Sequence, residues 1–210
     1  MKNRKLRKIL LTICSAMLLV CLSVGATVAY LTSTDEVKNT FTVGNVAITL
    51  DETDVDDSTP NADRDKANSY KLLPGHEYTK DPIVHVASTS EDCYLFVKVV
   101  NEITAIEDSA NTVASQMAAK GWKAVVGQTG LYVYVGTAAD AANPLAVTAG
   151  SNVTVFEKIK IASTVDNTTL AGYANKTITV TAYAVQKDGF EGKTASEIWT
   201  ATFGAPAVGE

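Results

Sequence analysis

The sequence predicts an all-β fold of the antiparallel sandwich class, with one or two short surface helices and a signal-peptide helix in front. Three observations point there. Period-two alternation of apolar and polar residues recurs in separate windows of strand length, turn residues divide those windows, and the first thirty residues differ in composition from the rest. The chain of 210 residues, 46% apolar and 20% charged, fits one globular unit able to build a core.

The amino terminus reads as a signal peptide. Lys2, Arg4, Lys5, Arg7 and Lys8 precede an uncharged stretch over residues 9–29, and Thr27-Val28-Ala29 offers a small-x-Ala cleavage site. Cleavage is expected between Ala29 and Tyr30, giving residues 1–29 as the signal peptide and 30–210 as a single β-sandwich domain; an uncleaved anchor is the alternative, because a membrane span needs about 20 apolar residues. Thirteen cations and twenty-three anions follow residue 29, a formal charge of −10. Such acidity argues against nucleic acid as a partner, and confines membrane contact to the signal peptide before cleavage. Of the three cysteines, Cys14 and Cys21 lie in the signal segment, so Cys93 alone remains and no internal disulfide is possible.

The elements follow in chain order. Val46, Ile48 and Leu50 alternate with Ala47 and Thr49 as the first strand, after which residues 51–69, rich in Asp and containing Pro60, read as an exposed acidic loop. Leu73-Pro74-Gly75 marks a turn, since Pro fixes its own φ and Gly accepts a positive one. Leu95, Val97 and Val99 form one face of a strand against Tyr94, Phe96 and Lys98, with Cys93 read as a small buried hydrophobe at its start. Ala110, Val113, Ala114 and Met117 stand at helical spacing, with Ser109 as the expected N-cap and Gly121 as the stop. Leu131, Val133 and Val135 make a further strand before a flexible connection over 136–150. Val153, Val155, Ile159 and Ile161 continue the alternation, interrupted by Glu157, and residues 177–185 form the last strand. Thr194-Ala195-Ser196-Glu197 is a capping box opening a short helix with Ile198, Trp199 and Thr202 inward, and 204–210 reads as a flexible tail.

The stretch from Ala29-Tyr30-Leu31 to Asp35-Glu36, followed by Asn39-Thr40-Phe41-Thr42-Val43-Gly44-Asn45-Val46, resembles the TasA/camelysin family. Leu73-Pro74-Gly75 with Lys80-Asp81 and Val84, and the ending from Gln186 to Phe190 with Glu197-Ile198-Trp199, extend the resemblance along the whole chain; Leu31 departs from it, standing where an aromatic residue is common. The resemblance implies a jelly-roll sandwich, processing by a SipW-type signal peptidase, secretion to the extracellular matrix or cell surface of a bacterium, and self-assembly into biofilm fibres. It also implies that the freed strand carrying Tyr30, Leu31, Val37, Phe41 and Val43 pairs with a sheet edge of the next subunit. Residues 30–43 lack Pro and Gly and are rich in Thr and Val, which suits a strand that pairs in this way or within its own domain.

Chemistry is sparsely encoded. Camelysin-like proteins have been classed as metallopeptidases, yet a zincin needs two His one helical turn apart with a Glu between, and His76 and His85 fall in a turn and a strand. No catalytic residue is expected. A Ca²⁺ site could draw on Asp54, Asp56 and Asp57 of the acidic loop, whose spacing is not that of an EF-hand; a solvated loop without a cofactor is the plainer expectation.

Overall fold

A computed structural model of the chain describes residues 2–31, 44–56, 64–137 and 143–204. Two compact units divide it, Met1–Thr42 and Val43–Glu210. In the first, helix α1 (Lys2–Leu31) runs through the expected cleavage point, so Tyr30 and Leu31 close a helix while the chain is whole. Leu6, Ile9, Leu10 and Leu11 lie exposed along it. Val37, Phe41 and Val43 lie outside the described residues.

The second unit is mostly strands. Its first half holds β1 (Ile48–Thr53), β2 (Arg64–Asp65), β3 (Glu77–Thr79), β4 (Ile83–Val86) and β5 (Cys93–Asn101). After helix α2 (Val113–Ala119) come β6 (Trp122–Ala124), β7 (Leu131–Tyr134), β8 (Ala146–Val147), β9 (Asn152–Thr154) and β10 (Lys158–Lys160). Helix α3 (Asn167–Ala171), β11 (Ile178–Gln186) and helix α4 (Ala195–Phe203) complete it. The sheets run β2-β1-β4-β9, β11-β5-β7-β6 with β8 also on β5, and β10-β3, and their pairings are antiparallel.

Strand β5 organises the packing because both of its faces are covered. Cys93, Leu95, Val97 and Val99 join Val84, Val86 and Val153 from the four-stranded sheet in one core, while Tyr94 and Phe96 point the other way into a second core closed by α4. Two covered faces explain why this strand reads as a nearly unbroken apolar run. Thr194 and Glu197 form the expected capping box, each satisfying a backbone N–H of the other residue, and fully buried Ile198 with Trp199 is pressed onto Phe96. A third cluster, built on Ile103, Ile106, Ile159, Ile161 and Leu170, fills the end near β3 and β10.

Several boundaries differ from the sequence reading. Helix α2 is capped by Thr112, whose Oγ1 accepts from the Ser115 N–H, because Asp108 to Asn111 form a turn that occupies the expected start at Ser109. The long strand expected over 153–161 is two strands in different sheets, parted at Val155-Phe156-Glu157. The connection over 136–150 contains β8, which pairs with Cys93 and Tyr94. The Pro74-Gly75 turn forms as expected, with Gly75 at φ 70° and the His76 N–H donating to the Leu73 carbonyl.

A candidate binding groove between two strand edges

Two strand edges face each other without pairing. Strand β11 ends its sheet, bonded along its nine residues to β5 on one side, and among the described residues no strand occupies its other side. Strand β1 pairs with β4 through Ile48 to Asp51, while its second neighbour β2 reaches only Glu52 and Thr53. Alternation turns Ile48 and Leu50 of β1, and Ile178, Val180 and Ala182 of β11, toward the shared core, where they are only half-buried. The result is an apolar groove of about 1040 Å³. A separate, smaller cavity of about 460 Å³ lies beside Gly44, Val46 and Ala184.

One wall of the groove is polar. Glu52 points inward from β1 and is 5% exposed; its Oε2 accepts from Lys80 Nζ at 2.6 Å and its Oε1 from Asn68 Nδ2 at 3.0 Å. The ring of Tyr70 lies 5.9 Å from the Lys80 ammonium, and burial first, then the charges of Glu52, Asp81 and Asp56, push the Tyr70 phenol pKa well up. On the opposite face of β1, Arg64 bridges Asp51 and Asp81. Burial would raise both carboxyls, but for Asp51 the bonds from Arg64 and His85, and for Asp81 those from Thr53 and Arg64, outweigh it and hold them below the ordinary range.

This arrangement revises the picture of residues 51–69 as a solvated loop. Asp51 and Glu52 are strand residues with partners, and Arg64-Asp65 is a strand. Of the three possible Ca²⁺ ligands, Asp54 and Asp56 come together with Asp65, the three offering oxygens within 4.8 Å of one another, while Asp57 lies outside the described residues. Asp54 and Asp56 are also tied locally: Asp54 Oδ1 accepts from the Asp56 N–H, and Asp56 Oδ2 from the Ser69 N–H at 2.6 Å. The two histidines stand in separate settings. His85 sits between Asp51 Oδ1, 3.0 Å from Nε2, and Asn152 Oδ1, 2.7 Å from Nδ1, whereas His76 packs near Tyr78. Cys93 is fully buried, which pushes its thiol pKa up to about 11 and leaves it unreactive.

The Glu52, Lys80 and Asn68 constellation is the feature that the sequence pattern does not reveal. Glu52 and Lys80 are 28 residues apart, and only the pairing of β1 with β4 brings them together. Comparison with protein-family models, with curated proteins and with solved structures yields no match.

Proposed function

We propose that this chain is an exported, TasA/camelysin-like structural protein of the bacterial extracellular matrix, a jelly-roll sandwich that assembles by strand exchange. Its groove receives the segment 30–43 of another copy. The observation that carries this reading is the open edge of β11 above a half-buried apolar floor. An unpaired edge offers a row of N–H and C=O groups, and a strand added there gains a hydrogen-bond ladder while its alternate side chains fill the floor.

Length and pattern support the match. Nine residues of β11 span about 30 Å, and an extended 14-residue segment reaches about 46 Å, at roughly 3.3 Å per residue. Val37, Phe41 and Val43 recur at odd positions and would share one face, with Lys38, Thr40 and Thr42 on the other. Cleavage would act as the switch, since Tyr30 and Leu31 belong to a helix until the chain is cut. Protein beginning at Tyr30 should form elongated particles in electron micrographs, and protein beginning at Gly44 should remain monomeric. Monomers from both, across salt and pH, would defeat the assembly reading.

A further inference from the structure

In the polar wall of the groove one carboxylate binds an amine on one oxygen and an amide on the other. Lys80 Nζ donates to Glu52 Oε2 at 2.6 Å, and Asn68 Nδ2 donates to Glu52 Oε1 at 3.0 Å, so one carboxylate holds the amine and the amide side by side. The amide is fixed at both ends. Its Oδ1 accepts from the Val55 N–H at 2.7 Å, and its Nδ2 also donates to the Thr53 carbonyl at 3.0 Å. Side-chain exposures of 11% for Lys80 and 6% for Glu52 keep bulk water from the pair, and the Tyr70 ring lies beside the amine.

A buried ion pair alone accounts for Lys80 and Glu52, but not for the third member. Among the described residues Glu52 is the one hydrogen-bond acceptor of the Lys80 ammonium, which has three donors, so the amine is sparsely held. Asn68, in contrast, has its carbonyl polarised by a backbone N–H and its nitrogen set against a carboxylate. Acyl transfer needs these features: a nucleophile beside its base, a donor at the developing oxyanion, and a proton source at the leaving group.

We propose that Lys80 and Asn68 join in an intramolecular isopeptide bond, with Glu52 as the proton carrier. Lys80 Nζ, after passing a proton to Glu52, attacks Cγ of Asn68 and forms the new C–N bond. Negative charge collects on Oδ1 opposite the Val55 N–H. The bond from Cγ to Nδ2 then breaks, and the nitrogen departs as ammonium with both protons that the lysine ammonium gives up. Glu52, touching both nitrogens, carries the protons across and ends as the carboxylate it began. No oxidant or further reactant is consumed. Such a link would tie the segment bearing Asn68 to the end of β3, in a chain whose single cysteine after residue 29 rules out an internal disulfide.

Intact-mass spectrometry of the purified chain, with fragmentation of its proteolytic peptides, tests the proposal. The wild type should weigh less than its sequence by one ammonia and yield a branched peptide joining Asn68 to Lys80. Lys80→Arg should have its full sequence mass, and Asn68→Asp should lose one water instead and give the same branch. The proposal is overturned by a wild type of full mass, by an ammonia loss that persists in Lys80→Arg, which would mark an asparagine cyclising on its own backbone, or by a branch at Glu52. The wild-type spectrum decides the matter even where a variant folds poorly.

Discussion

Replacing Glu107 with Gln should stabilise the folded chain at neutral pH. Glu107 is 8% exposed and no cation pairs with it among the described residues. Its two hydrogen bonds, from Asn101 Nδ2 at 3.0 Å and from the Val113 N–H at 3.3 Å, both end on Oε1, an atom whose role a glutamine carbonyl keeps. The substitution therefore removes the buried charge, and sets an amide nitrogen with two donors in place of Oε2. Burial raises the Glu107 pKa above the ordinary 4.5, against the lowering effect of those two bonds. Between the ordinary value and the raised one, the folded state retains a proton that the unfolded chain has lost, so stability falls as pH rises through that window. Desolvating such a group costs about 1–3 kcal/mol, and Glu107→Gln should recover about 1–2 kcal/mol of this at pH 7. Urea unfolding of both proteins from pH 4 to pH 7 measures it. The advantage of the variant should shrink toward zero at the acid end, where the wild-type carboxyl is protonated. A variant less stable at pH 7, or a difference that does not change with pH, would refute the reasoning.

Three further outcomes are expected, two from the packing and one from the proposed assembly. Ile198→Ala removes a fully buried side chain between α4 and β5 and should cost about 2–5 kcal/mol in urea unfolding, with Trp199 fluorescence reporting the loosened helix. Asp51 and Asp81 have lowered pKa values, so their contribution is complete above the ordinary 3.8 and is lost as pH falls below it; Arg64→Gln should flatten this acid limb in an unfolding titration. Phe41→Ala should weaken subunit association by roughly 100-fold to several-thousand-fold, as expected for about 3–5 kcal/mol of aromatic burial, and anisotropy of a labelled 30–43 peptide on the chain beginning at Gly44 would measure it.

How much was legible in the sequence depended on how local each signal was. The capping box at Thr194 and Glu197 and the turn at Pro74-Gly75 were plain because the residues that satisfy each backbone group lie within four positions. Strand β5 was plain because Cys93 to Val97 form an unbroken apolar run of strand-forming residues. The window 153–161 kept its alternation, yet Glu157 marks where the chain leaves one sheet for another, a change that periodicity does not record. Residues 51–53 misled because acidic composition suggests solvent, whereas their partners Arg64, Lys80, Asp81 and His85 arrive from elsewhere. Strand β8, two residues long, takes its place from the free edge of β5 and has no pattern of its own. The groove was legible only in half: the sequence suggested a strand at residues 30–43, whereas the open edge of β11 shows only in the fold.

Amide hydrogen exchange along β11 tests the central claim most directly. Adding the 30–43 peptide to the chain beginning at Gly44 should slow exchange at outward-facing amides between Ile178 and Gln186, as a new ladder forms on the open edge, while α4 stays unchanged. Unaltered exchange along β11 at saturating peptide would contradict strand addition at this groove.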